Sequence, residues 1–140
     1  MSFNQIYDIA GSSLAAQSLR LNTVASNLAN ADSAAASADQ AYRAVKPVFR
    51  AVYEQVNQAG QVPGASVEVA AVVNTDAPVE MRYEPNHPYA DDKGFVAYSN
   101  VNPVAEMADM MAATQSFEAS VNVMNRARSM QQGLLQLGSK

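Results

Sequence analysis

The chain has 140 residues, 49% of them apolar, and a formal net charge of −4; this suits one globular domain and offers no basic field to gather nucleic acid or anionic lipid. It contains no cysteine, which excludes disulfides, thiolate zinc sites and cysteine nucleophiles. No apolar run approaches the roughly 18 residues of a membrane-spanning helix, and no basic n-region with an apolar core opens the chain, so any export is expected to proceed without a cleaved signal peptide.

All six prolines lie between Pro47 and Pro103, leaving both ends free of the strongest helix breaker. In residues 1–32, Phe3, Ala10, Val24 and Ala31 share one heptad position, and Tyr7, Leu14, Leu21 and Leu28 fall four residues later. That spacing predicts a long helix with an a/d seam, interrupted only by Gln17. Ser2 and Gln5 have the spacing of a capping box. Gly11 predicts either a bend or a close approach by another helix, since glycine weakens a helix interior. Residues 33–41 are almost entirely Ala, Ser, Asp and Gln; with little to bury, they are expected to form a flexible linker.

Residues 42–101 are expected to form a small β-rich unit with a turn-rich loop. Val48–Val56 alternates, Val67–Val73 is β-branched and apolar, and Val79, Met81 and Tyr83 occupy every second position. Tyr83, Tyr89, Phe95 and Tyr98 are its expected core. The second arm, 102–140, opens with Asn102 as N-cap and Pro103 at the first helical position. Met107, Met110, Met111, Phe117, Val121 and Met124 form a stripe, continued by Ala127, Met130, Leu134 and Leu137 on a slightly rotated face. Acids (Glu106, Asp109, Glu118) come early and bases (Arg126, Arg128) late, matching the helix dipole, and Gly138 is the expected stop.

The fold class is therefore α+β: two long terminal helices packed as an antiparallel coiled-coil hairpin, with a small β-rich middle. A helix of 30 residues is about 45 Å long, more than the diameter of a compact domain of this size. Such arms leave apolar surface uncovered, and exposed apolar patches mark interaction surfaces. A closed helical bundle is the alternative. On the first arm the candidate subunit-interface residues are Leu14, Gln17, Leu21, Val24, Asn27, Leu28 and Asn30. On the second they are Met107, Met110, Met111, Phe117, Val121, Met124, Met130 and Leu134.

Specific wording supports assembly. The run from Ser13 to Asn22 (SLAAQSLRLN), followed by Ala25-Ser26-Asn27-Leu28-Ala29-Asn30-Ala31-Asp32, resembles the N-terminal signature of the flagellar rod and hook protein family. Tyr83-Glu84-Pro85-Asn86-His87-Pro88, with Ala90-Asp91, Gly94-Phe95-Val96 and Asn100-Val101, is similar to the passage before that family's C-terminal helix. Glu106-Met107 and the run from Ser116 to Met130 extend the resemblance over most of the chain. Residues 33–82 leave no room for the inserted domains of the larger members, which points to the small proximal-rod branch, with FlgB as the nearest alternative there. The linker departs from the family's usual Thr-Pro-Gly turn.

The resemblance implies a structural subunit of the basal-body proximal rod, exported by the flagellar type III apparatus and assembled helically in the periplasm to transmit torque for motility. Its implied partners are other copies of itself, FlgB, FlgF, FlgG and the basal adaptor FliE, with no nucleic acid or small-molecule substrate. Asn27 and Asn30 are then candidates to bridge neighbouring subunits; the plainer expectation is that Asn ends the helix in a left-handed conformation. Glu84, His87, Asp91 and Asp92 have the chemistry of metal ligands, but their spacing matches no ligand template and Pro85 and Pro88 mark a structural loop. No G-x-S-x-G elbow accompanies the lone histidine, so no catalytic residue, metal or cofactor is expected. A soluble coiled-coil adaptor or export chaperone, and a small hydrolase built on His87, are the competing classes.

Overall fold

The computed structural model describes residues 3–53 and 64–138. Helix α1 spans Phe3–Ala29 and helix α2 Pro103–Gly138, with strands β1 (Ala34–Ala35), β2 (Val45–Tyr53), β3 (Ala65–Asn74), β4 (Glu80–Tyr83) and β5 (Phe95–Tyr98) between them. The class is thus α+β. Four hydrogen bonds between the helices show their direction: Asn27 meets Glu106, Arg20 meets Asp109, Ser13 meets Ser120, and Tyr7 meets Gln131. As residue numbers fall along α1 they rise along α2, so the two run antiparallel.

The seam between them is made largely of small side chains, with Ala10 and Ala16 buried on α1 and Ala113 and Ala127 on α2. Large seam residues such as Leu14, Leu21, Phe117, Val121 and Met124 are half-buried. Asn102 caps α2 as its position predicts: its carbonyl oxygen receives Glu106 N–H, and its Oδ1 receives the N–H groups of Val104 and Ala105. Through Gly11 α1 is continuous, and no other helix approaches closely there, since an added Cβ would meet nothing within 4 Å. Ser2 of the expected capping box lies outside the described residues.

The strands form two antiparallel sheets. One is the two-stranded ribbon β2–β3, bulged between Val48 and Phe49 and lying along α1. Its β2 starts earlier than the alternation suggested, and residues 54–56 of that expectation lie outside the described residues. The other sheet has the order β1-β5-β4, and among the described residues neither helix packs against it. Ala34 and Ala35, expected within a flexible linker, pair with Tyr98 and Ala97 instead. Backbone pairing with β5 supplies the order that their small side chains cannot.

The expected aromatic core is corrected. Val96, Ala97 and Tyr98 are buried on β5, whereas Tyr83 is 66% and Tyr89 52% exposed and Phe95 is also exposed. Three consecutive residues of the central strand β5 are buried, so of the four aromatic positions only Tyr98 joins the core.

Candidate assembly interface

The two helices and the ribbon meet in a polar knot built around Asn27. Its side chain is fully buried. Nδ2 donates to Val45 O at 2.9 Å and to Glu106 Oε2 at 3.0 Å, while Oδ1 receives Val45 N–H at 2.8 Å and the Tyr42 hydroxyl at 3.1 Å. A carboxamide can donate and accept at once across a strand end. Glu106, 3% exposed, sits in the first turn of α2, where the helix dipole favours its charge. Beside it Arg20 grips Asp109 at 2.8 Å, with Lys46 at 3.8 Å.

A second knot joins the sheets to the start of α2. Asn100 Oδ1 receives Ala44 N–H at 2.7 Å, and its Nδ2 reaches Thr75 Oγ1 and Ala77 O. Ser99 Oγ donates to Ala31 O at 2.5 Å. Tyr42, Ser99 and Asn100 were not among the residues singled out as functional from the sequence; the signal available was that Asn100 stands between an apolar strand and the capping Asn102.

Asn27 is thus engaged within the subunit: every hydrogen-bonding direction of its carboxamide is used inside one chain, and α1 runs two residues past it. The reason is the strand end at Val45, whose N–H and C=O need partners once buried. Asn30 also bonds locally, donating to Ser26 O at 2.8 Å. Val24 is buried in the subunit, and Gln17 carries a buried Oε1 without a partner among the described residues.

The apolar stripe of α2 divides in two. Phe117, Val121 and Met124 turn toward α1, while Met107, Met110, Met111, Met130 and Leu134 are exposed, together with Val104, Leu135 and the 74% exposed Leu137. At about 100° per residue, Val104, Met107 and Met111 fall on one side of the seam, and Met130, Leu134 and Leu137 on the other. With 36 residues against the 27 of α1, α2 is too long to be covered by its partner helix. A groove lined by Ile6, Ile9, Ala10, Ser13, Ala119 and Val123 opens on the second side. Contiguous exposed apolar surface on a rigid helix can bind another apolar surface.

The loop between β4 and β5 is held by its own residues. Asp91 Oδ1 receives the N–H groups of Lys93 and Phe95, and His87 Nδ1 receives Tyr89 N–H. Glu84 Oε2 receives the Tyr98 hydroxyl at 3.0 Å. Gly94 has φ +82°, a conformation glycine adopts without strain. Among the described residues no group of three His, Asp or Glu gathers where a metal ion could be held, and none of the helices is long and apolar enough to cross a membrane.

Residues 8–40 match the family "Flagella basal body rod protein", and residues 92–137 match "Flagellar basal body rod FlgEFG protein C-terminal". The chain is 47% identical over 138 residues to the flagellar basal-body rod protein FlgC of Escherichia coli O6:H1, covering 99% of each chain. It is 48% identical over 139 residues to FlgC of Salmonella typhimurium, again over 99% of each. FlgC of Aquifex aeolicus is 38% identical over 128 residues, 85% of this chain and 84% of that one.

Proposed function

The chain belongs to the FlgC family of flagellar basal-body rod proteins and is a structural subunit of the basal-body rod serving motility; from that membership we propose how it is delivered and assembled. It is exported through the flagellar type III apparatus without a cleaved signal and added helically to the proximal rod in the periplasm. There it contacts further copies of itself and the related subunits FlgB, FlgF and FlgG, with FliE at the base. It forms part of a shaft that carries torque, and it catalyses no reaction.

The observation that carries this reading is the apolar surface of α2 at Met107, Met111 and Leu134, each more than half exposed. In the rod this surface packs against neighbouring helices in coiled-coil fashion, knobs into holes, and flexible Met side chains absorb small differences in register between neighbours. Leu14, Gln17, Leu21 and Leu28 contribute from α1. Gln17 suits that role, since its unpartnered Oε1 would gain a donor from a neighbour.

The test is the double substitution Met111→Asp/Leu134→Asp in a strain lacking the native chain. Both positions are exposed, so the purified variant keeps its helicity while the cells lose swimming and their basal bodies lack a distal rod. Full swimming by this variant would refute the proposed contact surface.

A further inference from the structure

The β4–β5 loop and the strand ends beside it expose aromatic rings. Tyr83 and Phe95 meet edge to face at 5.4 Å, and His87 and Tyr89 lie 5.6 Å apart, yet Tyr83, Tyr89 and Phe95 are exposed. Rigid aromatic side chains left in solvent on a well-braced loop are the composition of a binding surface. The loop is also acidic: Glu84, Asp91 and Asp92 precede its single base, Lys93. Asp92 is exposed, and among the described residues it makes no ion pair.

The complementary surface lies on the same chain, out of its own reach. From Ala119 to Gly138, α2 holds Arg126 and Arg128 and no acid. Both arginines are exposed without an ion pair among the described residues, and Arg126 lines a shallow depression together with Asn122, Asn125, Ser129 and the exposed Met130. The sheet bearing the loop joins the helix pair where α1 ends and α2 begins, through Ser99 and Asn100. From Glu106 to Met130 the helix runs about 36 Å away from that junction. One chain therefore presents an acidic aromatic loop at one end and a basic, Met-bearing helix face toward the other.

We propose that this loop docks on the C-terminal half of α2 of a second copy, Asp92 facing Arg126 and Tyr89 lying against Met130. The occupant follows from charge and chemistry: a carboxylate finds a guanidinium, and a ring finds a thioether and a cation. Because the two surfaces are different and sit toward opposite ends, the contact is heterologous and repeats from copy to copy. It adds an end-to-end contact to the lateral packing described above, and rests on the reading of the chain as a rod subunit that assembles with its own kind.

The absence of cysteine makes the test clean. Full-length Tyr89→Cys/Met130→Cys is purified, concentrated and oxidised, with Ala15→Cys/Met130→Cys, whose positions are also exposed, as the control. The expected result is a ladder of disulfide-linked multimers for the first pair and at most dimers for the control. Adding Asp92→Lys cuts the ladder roughly tenfold, which is about 1.4 kcal/mol, and further adding Arg126→Asp restores it. A ladder no stronger than the control, one indifferent to Asp92→Lys, or one that Arg126→Asp fails to restore would overturn the contact. So would exclusive linkage of the thiol introduced at position 89 to a different basal-body protein when the same variant is oxidised in cells. Incorporation of the chain into basal bodies is scored separately: a chain found in rods without the cross-link refutes only this contact, whereas a chain absent from basal bodies refutes the rod assignment.

Discussion

Asn27 Nδ2 donates to Glu106 Oε2 at 3.0 Å in a place where both residues are buried. The same carboxamide satisfies both the N–H and the C=O of Val45, so one side chain fastens α1, α2 and β2 together. Asn27→Ala leaves a buried carboxylate and a strand end without partners, and each orphaned group costs about 1–3 kcal/mol. We expect a loss of about 3 kcal/mol in chemical denaturation, and Asn27→Asp to cost more because it sets two carboxylates side by side. A loss below about 0.5 kcal/mol would contradict this role for the knot.

That knot also shows where sequence reasoning stops. Helix extents, the Asn102–Pro103 start of α2 and the α+β class were legible, because heptad spacing, caps and proline placement act locally. The role of Asn27 was not, because it depends on a strand end 18 residues away in sequence. The same holds for β1, whose two alanines carry no strand signal and are ordered only by their pairing with β5. On α2 the Met stripe was legible as apolar. Which of its members α1 would cover was settled by the small seam residues Ala113 and Ala127, and they leave Met107 and Met111 outside.

Gly94→Ala is expected to destabilise the β4–β5 loop. Its φ of +82° suits glycine, and an added Cβ would sit 2.8 Å from Tyr83 Cε2 and 3.1 Å from Pro85 Cβ. Left-handed strain and crowding together should cost about 2 kcal/mol or more, read as a fall in the denaturation midpoint. An unchanged midpoint would mean that the loop relaxes freely.

Tyr98 donates its hydroxyl to Glu84, and that hydrogen bond, followed by burial and by the Glu84 charge, raises its phenol above the usual value. The folded state therefore holds a proton that the unfolded chain releases near about pH 10. The stabilisation is complete below that pH and declines as pH rises through the higher folded value. Glu84→Gln should move the ultraviolet titration of Tyr98 back toward lower pH; a titration that does not move would show that Glu84 is not the cause.

Asn102→Ala removes the acceptor for the N–H groups of Val104 and Ala105. Loss of an N-cap costs about 1 kcal/mol. Asn102→Asp should retain the cap or improve it, since a charge at this end of the helix is favourable. Thermal unfolding of the two variants distinguishes the cap from a general intolerance of substitution, which would lower both midpoints alike.

If α2 is the assembly element of a rod subunit, its loss must stop the rod, and electron microscopy of basal bodies can see this in cells whose only copy of the chain lacks residues 104–140. We expect cells that do not swim and basal bodies that stop before the distal rod. Complete rods and normal swimming in those cells would contradict the role given to α2.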